Sequence, residues 1–291
     1  MNVHLIDGTY ELFRHYFGMP PGTDVNGNEV GAVRGVLMSV LGLLDGGATH
    51  VGVATDQVIE SFRNQLYAGY KTSEGVPPQL MSQFPILEET LASMGVMVWP
   101  MQEFEADDAL ASAAAKASLD SRVEKVFICT PDKDLAQCVV DSRVVQLDRM
   151  RNIERDAAGV VAKWGVSPES IPDYLAVVGD SADGFPGLAG WGPKAAGTMF
   201  SQFPHLEDIP KDWRRWPSGL RGSQRLASVL FENWNDAILF RTLATLRTDA
   251  PVFDDVEELR WNAPTDDFGA YCKRLRAPVV YEKALHLSER S

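Results

Sequence analysis

The sequence predicts an α/β fold with a largely parallel central sheet, and three observations support this class. Short apolar runs alternate with longer helix-like stretches through the first half of the chain. Three of these runs end in an acid, at Asp7, Asp56 and Asp132. Strands that alternate with helices form parallel sheets, in which functional side chains collect at the carboxyl ends of the strands. We therefore expect these three acids along one edge of the sheet.

The elements of this core follow from hydrophobic periodicity. The apolar runs are typical of buried strands, and they cover residues 3–6, 51–55 and 126–131. Helical patterns lie between them, at residues 35–44, 85–94 and 106–119. Residues 70–85 contain Gly75, Pro77 and Pro78, and they predict a long loop or mobile arch within residues 63–88.

The character of the chain changes near Gly165. Strand-like runs become rare after this point. Ser167 and Pro168 have the form of a helix N-cap followed by proline at the first helical position. We place a boundary there, between a core at residues 1–165 and a helical region at residues 166–291.

The composition limits the classes of protein that fit the chain. A hydrophobic fraction of 45% over 291 residues is sufficient for a packed core without disulfides. Cys129, Cys138 and Cys272 are far apart in sequence, which favours buried thiols in a reducing compartment over a zinc site. The sequence shows neither a leader pattern at its start nor a later apolar run of about 18 residues. We therefore expect a cytoplasmic protein with no membrane partner.

The net charge of −13 argues at first against a nucleic-acid partner, because phosphate binding usually leaves a basic surface. Acids that converge on one pocket are an exception. Bound cations neutralise such acids, and the protein then presents metal rather than carboxylate to a phosphate. The bulk charge therefore decides little, and the positions of the acids matter more.

The first acid cluster begins the alanine-rich helix, at Glu105, Asp107 and Asp108. Acids in a first helical turn complement the helix dipole, which is a sufficient explanation for any one of them. Glu105 and Asp108 also share a helix face. Three like charges in one turn repel each other unless a cation lies among them, so the crowding favours metal binding.

A second cluster follows the strand at residues 126–131, where Lys133 separates Asp132 from Asp134. A role as helix cap is the alternative explanation for either acid. One cap requires only one acid, however. Two acids at the carboxyl end of one strand suit a hard cation, which prefers oxygen ligands, better than they suit capping.

The third cluster combines Asp180 and Asp183 with a glycine-rich turn. Gly187, Gly190 and Gly192 precede a predicted helix that starts near Pro193. Such a turn exposes backbone N–H groups and a helix N-terminus to a phosphate, although an ordinary loop is the alternative. The spacing of a P-loop is absent.

Taken together, the acids predict a metal cluster, because they all fall at strand ends or helix starts of one sheet. Two divalent cations about 4 Å apart clamp the attacking and leaving oxygens of a phosphodiester, so that no covalent nucleophile is needed. Magnesium or manganese fits a site of oxygen ligands.

These residues, in this order, resemble the 5′-nuclease family, which includes the amino-terminal domain of bacterial DNA polymerase I, phage 5′ exonucleases and flap endonucleases. The resemblance covers most of the chain and includes residues 7–8, 61–63, 67–71, 105–108, 130–135, 179–183 and 247–249. It implies a PIN-like nuclease core. It also implies a helix–three-turn–helix within residues 180–200 that grips duplex backbone, with a potassium ion at its turn.

The resemblance also implies roles for individual residues. It implies nine metal ligands, which are Asp7, Asp56, Glu105, Asp107, Asp108, Asp132, Asp134, Asp180 and Asp183. Catalysis would rest on Asp7, Asp132 and Asp134 and on Lys71, whose cation stabilises developing charge near the scissile phosphate. DNA binding would involve Arg14, Arg63, Tyr70, Gly187, Gly190, Gly192 and Lys194. The alternatives are a solvated loop lysine for Lys71 and a core position for Tyr70.

Three positions depart from the family pattern. Glu74 stands where an arginine is common, Gly184 where asparagine is common, and Trp191 where isoleucine is common. None of them removes a metal acid, so we expect activity, while rate and substrate preference are open.

The function implied is that of a monomeric flap endonuclease and 5′-3′ exonuclease in replication and repair. Its substrates would be branched, flapped or nicked DNA, with RNA in RNA-DNA hybrids, and it would associate with the nucleoid. From a length of 291 residues we expect no polymerase domain. A catalytically weak DNA-binding module and a PIN-like RNase are the alternatives. The nine acids argue against the first, and the glycine-rich turn argues against the second.

Overall fold

The computed structural model describes residues 1–290. The strands are β1 (Asn2–Asp7), β2 (His50–Asp56), β3 (Met97–Met101), β4 (Lys125–Cys129), β5 (Val144–Asp148) and β6 (Ile153–Arg155). The first helices are α1 (Gly8–Gly18), α2 (Gly31–Asp45), α3 (Arg63–Leu66), α4 (Pro78–Met81), α5 (Gln83–Ser93), α6 (Ala106–Leu119) and α7 (Ala157–Trp164). The remaining helices are α8 (Ile171–Val178), α9 (Pro193–Phe200), α10 (Ser223–Glu232), α11 (Trp234–Ala244), α12 (Phe268–Arg274) and α13 (Pro278–Ser288).

The chain folds into two compact units that are discontinuous in sequence. Unit 1 contains Met1–Ile59, Ser73–Thr130 and the stretch that starts at Thr248. Unit 2 contains Glu60–Thr72 and Pro131–Arg247. This division rests on contacts, and the boundary near residue 165 stays a prediction.

Unit 1 is built on parallel strands in the order β3-β2-β1-β4, which confirms the expected largely parallel sheet. In this register Asp7 pairs with Ala54 and Asp56 pairs with Met101. The strands therefore end side by side, with Asp7 and Asp56 at the carboxyl edge. The sequence pattern missed β3. This strand has five residues, contains Pro100 and lies at the edge of the sheet, where it pairs with β2.

Helices pack against this sheet through their apolar faces. Helix α6 contacts all four strands, and its buried face is made mainly of alanines such as Ala109 and Ala113. Small side chains let the helix lie close to the strands, and the strand residues Val3, Leu5 and Val53 are fully buried. The predicted bounds of this helix, residues 106–119, agree with the structure.

The structure corrects the prediction that residues 70–85 form one long loop. Much of residues 63–88 is helical, in α3, α4 and the first part of α5, so the irregular part is shorter than expected. Pro78 occupies the first position of α4, where its missing N–H breaks no helical bond. Leu80, Phe84 and Leu87 are completely buried, and this packing overrides the loop signal of the prolines.

Unit 2 contains the antiparallel hairpin of β5 and β6 and is otherwise helical. From residue 166 to residue 290 the structure contains helices and turns but no regular strand, which confirms the change of character near Gly165. The core of unit 2 includes Leu175, Phe185, Met199 and Phe240. The strands β5 and β6 were not predicted, because five and three residues are too few for a clear period.

The helices of the described residues are too short or too polar to cross a lipid bilayer.

Gly8 provides a test of the packing between α1 and β2. A Cβ atom on Gly8 would lie 2.7 Å from the side chain of Thr55 and 2.8 Å from the carbonyl oxygen of Ala54. We expect Gly8→Ala to lower the free energy of unfolding by about 1–3 kcal/mol, since backbone and sheet must move apart. The matched control is Gly42→Ala in α2, where a Cβ meets nothing within 4 Å. This control should gain about 0.5–1 kcal/mol through helix propensity. Urea denaturation measures both, and equal values for the two variants would contradict the close approach of α1.

Candidate metal centres

The acids of unit 1 lie where strands end and helices begin. Asp7 is the N-cap of α1, and its Oδ1 accepts a hydrogen bond of 2.8 Å from the Tyr10 amide. Its other oxygen, Oδ2, accepts one of 2.9 Å from the Thr130 hydroxyl. These two hydrogen bonds fix the position of the carboxylate, and Asp7 as a whole is 5% exposed. Sequence reasoning did not assign Thr130 to the site, although it lies in the predicted strand at residues 126–131, two residues before Asp132.

Asp56 joins β2 to the start of α6. Its Oδ1 accepts a hydrogen bond of 2.7 Å from the Ala106 amide, which lies next to Glu105. Glu105 and Asp108 form a capping box, in which each carboxylate accepts a hydrogen bond from the other residue's backbone amide. Both are buried, whereas Asp107 is half-buried. The structure thus brings Asp56 and this helix start together.

The acids of unit 1 therefore do cap helices, as the alternative explanation proposed. Capping does not occupy every acceptor site of their carboxylates, however. A carboxylate has two oxygens with several acceptor sites, so a cap and a metal ligand are compatible in one residue. Asp7, Asp56, Glu105 and Asp108 are buried carboxylates at one edge of a sheet. Buried carboxylates require compensation by cations or donors. Within residues 1–290, however, their oxygens do not form a group of three within 4.8 Å of one another, so metal binding at this edge stays a prediction.

In unit 2, Asp134, Asp180 and Asp183 form what we call the buried acid triad. Ligand oxygens of these three residues lie within 4.8 Å of one another, and the triad is the one such group among residues 1–290. Their exposed fractions are between 3% and 8%. Asp134 Oδ1 is buried and has no hydrogen-bond partner within the described part of the chain. An unsatisfied buried carboxylate oxygen among like charges is costly without a cation.

Electrostatics explain the state of Asp134. Burial raises the pKa of its carboxyl group well above the usual range, and the negative charges of Asp132, Asp183 and Asp180 raise it further. The nearby Lys133 opposes this effect. The charged form of Asp134 is therefore destabilised unless a further positive charge is supplied.

Two lysines supply part of that charge. Lys133 Nζ lies 2.6 Å from Asp180 Oδ2, and Lys71 Nζ lies 3.1 Å from Asp183 Oδ1. Burial alone would lower the pKa of Lys133, but the hydrogen bond and charge of Asp180 give a net increase. Lys133 was not predicted as a site residue, although its place between two acids in the sequence was a usable signal. Asp132, which is exposed, caps the turn that contains Asp134.

Lys71 reaches Asp183 because two backbone segments lie in direct contact. The Lys71 amide donates a hydrogen bond of 2.9 Å to the Asp183 carbonyl oxygen. Gly184 has φ +87°, and a Cβ atom there would lie 2.2 Å from the Gly69 carbonyl oxygen. Glycine is therefore required by this approach, which gives a physical reason for the departure at position 184.

The glycine turn, residues 179–192, connects α8 to α9. Gly179 and Gly187 both have positive φ and pack backbone against backbone, since a Cβ on Gly187 would lie 2.4 Å from the Gly179 nitrogen. Gly190 also has positive φ, while Gly192 is the N-cap of α9. No side chain caps α9, and Lys194 is exposed at its second position. The start of α9 therefore has free capacity for an anion.

The structure corrects the predicted DNA-binding roles of two residues. Arg63 is completely buried, and its guanidinium donates to the carbonyl oxygens of Leu243 and Thr245 at 2.8 and 3.1 Å. Tyr70 is 3% exposed and belongs to the core of unit 2. The roles of both are structural in this fold, because neither side chain reaches the surface. Arg14 is half-buried and pairs with Glu11 at 2.6 Å.

Family models match both parts of the sequence. The model described as 5′-3′ exonuclease, N-terminal resolvase-like domain, matches residues 2–165. The model described as 5′-3′ exonuclease, C-terminal SAM fold, matches residues 166–267.

Curated relatives of this chain are DNA polymerase I proteins and a 5′-3′ exonuclease. DNA polymerase I of Pseudomonas aeruginosa is 33% identical over 259 residues, which are 88% of this chain and 28% of that protein. A 5′-3′ exonuclease of Aquifex aeolicus is 32% identical over 240 residues, which are 80% of this chain and 82% of that protein. The chain thus spans between a quarter and a third of the DNA polymerase I of P. aeruginosa and most of the exonuclease.

Solved structures share the fold. The T5 D15 protein co-crystallised with metal ions aligns with a TM-score of 0.66 at 17% identity, covering 99% of both chains. The catalytic core of Rad2 in complex with DNA substrate aligns with a TM-score of 0.63 at 15% identity, covering 98% of this chain and 91% of that chain. At these identities the likeness concerns the fold alone.

The buried acid triad predicts an effect on stability that does not depend on activity. The raised pKa of Asp134 means that its ionisation opposes folding at neutral pH, and the penalty disappears only as pH falls into the ordinary carboxyl range. We expect Asp134→Asn to raise the melting temperature of the metal-free protein by roughly 2–4 °C, the shift that about 1 kcal/mol produces at this size. Added Mg²⁺ should then stabilise the wild type more than the variant.

The matched control is Asp173→Asn, also in unit 2. Asp173 is a buried carboxylate satisfied by His205, Leu206 and Arg241. Its replacement should lower the melting temperature and leave the response to Mg²⁺ unchanged. Thermal unfolding in EDTA and in Mg²⁺ measures both variants, and an equal Mg²⁺ response in Asp134→Asn and the wild type would contradict a metal site at the triad.

Proposed function

This chain belongs to the 5′-3′ exonuclease family, and from that premise we propose that it is a divalent-metal-dependent nuclease that cuts DNA at 5′ flaps, branches and nicks. The observation that carries the metal requirement is the buried acid triad with the unsatisfied Oδ1 of Asp134. Three buried carboxylates and two partner lysines leave an excess of negative charge that a divalent cation would neutralise.

The donor set fits the proposed cations. All nine acids offer carboxylate oxygens, which hard cations such as Mg²⁺ and Mn²⁺ prefer, and no cysteine or histidine is among them. In unit 1 the holding residues would be Asp7, Asp56, Glu105, Asp107 and Asp108. In unit 2 they would be Asp132, Asp134, Asp180 and Asp183. Two or more bound cations would supply charge neutralisation to the phosphodiester and acidity to the attacking water.

The protein's own residues would perform the remaining steps. Lys71 is held near the triad by the contact of its backbone with Asp183, and its side chain is 23% exposed. A cation that occupies the triad would compete with Lys71 for Asp183, which would leave the ammonium able to face a phosphate. A preorganised positive charge of this kind stabilises the charge that develops on the phosphate oxygens.

The glycine turn would bind the duplex part of the substrate. The uncapped start of α9 presents backbone amides, and Lys194 adds a positive charge beside them. Backbone amides at a helix start bind phosphate oxygens without reading the base sequence. This supports recognition of DNA structure rather than sequence, and the turn would also hold a potassium ion. We extend the proposal to RNA strands in RNA-DNA hybrids and to a protein that acts as a monomer near the nucleoid.

The metal role of the acids is tested by replacing Asp132 and Asp134 together with Asn. The double variant should lose cleavage of an end-labelled flap substrate, because it removes ligand charge but keeps shape. Flap binding should be unchanged or slightly tighter, since two negative charges near the phosphate disappear. Single-stranded and nicked substrates, with and without metal, distinguish exonuclease from endonuclease cutting. Cleavage above the metal-free background would refute the assignment.

The contribution of Lys71 is tested by Lys71→Ala. We expect single-turnover cleavage to slow by roughly 10²- to 10³-fold, the range found when one preorganised charge donor is removed. Flap affinity should fall much less. Because Arg63 is completely buried and donates to the carbonyl oxygens of Leu243 and Thr245, it is not available to replace the charge. Lys71→Arg is the matched control, as it keeps the charge and should retain most of the rate. An unchanged rate in Lys71→Ala would leave Lys71 as a counterion for Asp183 only.

A further inference from the structure

One stretch of this acidic chain is strongly basic. Residues 211–225 contain five cations and one acid, Asp212, whereas the whole chain has 27 cations and 40 acids. All five cations are exposed, and they are Lys211, Arg214, Arg215, Arg221 and Arg225. We call residues 211–225 the basic segment. The motifs that identify the family do not include it.

Four of these cations have no ion-pair partner within the described residues. Arg214 lies 3.4 Å from Asp212, but no acid is within 4.0 Å of Lys211, Arg215, Arg221 or Arg225. Elsewhere in unit 2, the exposed Arg151 pairs with Asp148 at 3.2 Å, and the half-buried Arg241 pairs with Glu207 at 2.6 Å. In a chain with a net charge of −13, unpaired cations gathered in one stretch form a concentrated positive surface.

The basic segment is anchored rather than loose. The ring of Trp216 is buried and packs against Trp191 of the glycine turn, with 5.9 Å between ring centroids. The Trp216 indole N–H donates a hydrogen bond of 2.7 Å to the Pro210 carbonyl oxygen. The Trp191 indole N–H donates one of 3.3 Å to the Leu226 carbonyl oxygen, one residue beyond Arg225. Trp191 therefore contacts the middle of the segment, at Trp216, and the residue that directly follows it, Leu226.

This anchoring also gives Trp191 a physical role. Isoleucine at this position would provide neither the indole N–H nor a ring to pack against Trp216. The departure from the family pattern at position 191 and the basic segment are thus parts of one structure. The five cations are exposed, and the segment packs on Trp191, which directly precedes Gly192, the N-cap of α9.

We propose that the basic segment is a second contact to the phosphate backbone of duplex DNA, beside the glycine turn, and this inference rests on the proposed function. Exposed, unpaired arginines on a fixed framework match the requirements of sequence-independent phosphate binding. The segment would lengthen the duplex footprint of unit 2 beyond the amides of α9. It takes no part in the chemical step.

The test is the salt dependence of DNA binding by the full chain, measured in EDTA so that cleavage plays no role. The variant carries Arg215→Gln, Arg221→Gln and Arg225→Gln. Each lost phosphate contact should lower the log–log salt slope for a blunt duplex by about 0.9. Affinity at low salt should fall at least tenfold, while binding of a single strand should fall less. The three Arg→Lys replacements keep the charge and should keep the slope.

The matched control removes three cations elsewhere, with Lys273→Gln, Lys283→Gln and Arg290→Gln in the C-terminal stretch of unit 1. It changes the net charge equally and should leave the slope unchanged. A wild-type slope in the basic-segment variant, with an unchanged melting temperature, would overturn the inference, as would an equal loss in the control. Wild-type protein that fails to cut a flap in Mg²⁺ would instead refute the proposed function, and the binding result would stand separately.

Discussion

Mutual repulsion among buried carboxylates is the constraint around which unit 2 is organised. Asp134, Asp180 and Asp183 converge in a region that excludes water, where like charges repel strongly. Burial and this repulsion together raise the pKa of Asp134. Lys71 and Lys133 relieve part of the repulsion through direct contacts. The arrangement is therefore poised for one more cation, and a fold optimised for stability alone would not contain it.

Backbone conformation is what makes this convergence possible. Asp183 lies next to Gly184, whose positive φ allows the segment that carries Lys71 to approach within hydrogen-bond distance. Asp180 follows Gly179, which packs directly against Gly187. A Cβ atom on Gly184 or Gly187 would lie 2.2 or 2.4 Å from a backbone atom of the facing segment, so side chains there would force the segments apart. The acids supply the charge, and the glycines supply the geometry that concentrates it.

Residues with local signals could be predicted from the sequence, and those with tertiary partners could not. The strand ends at Asp7 and Asp56 and the helix at residues 106–119 were predictable, because each has its own apolar period. Arg63 and Tyr70 were assigned to DNA through the family resemblance, which does not show whether a side chain is buried. Arg63 is buried against the carbonyl oxygen of Leu243, 180 residues away, and Tyr70 belongs to the core of unit 2, and no local pattern contains either environment. Lys133 was visible in the sequence, but its pairing with Asp180 was not.

The distribution of charge resolves the conflict between an acidic chain and a nucleic-acid substrate. In unit 2 the acids of the triad are buried, whereas Lys194 and the cations of the basic segment are exposed. A phosphate that approaches from solvent responds to exposed charges at short range, because buried charges are partly compensated and distant ones are screened within about 8–10 Å. The net charge of the chain is thus a poor guide to the potential at the proposed DNA-binding surface. The exposed arginines of the basic segment, which packs on Trp191 through Trp216, would attract DNA even though the whole molecule is acidic.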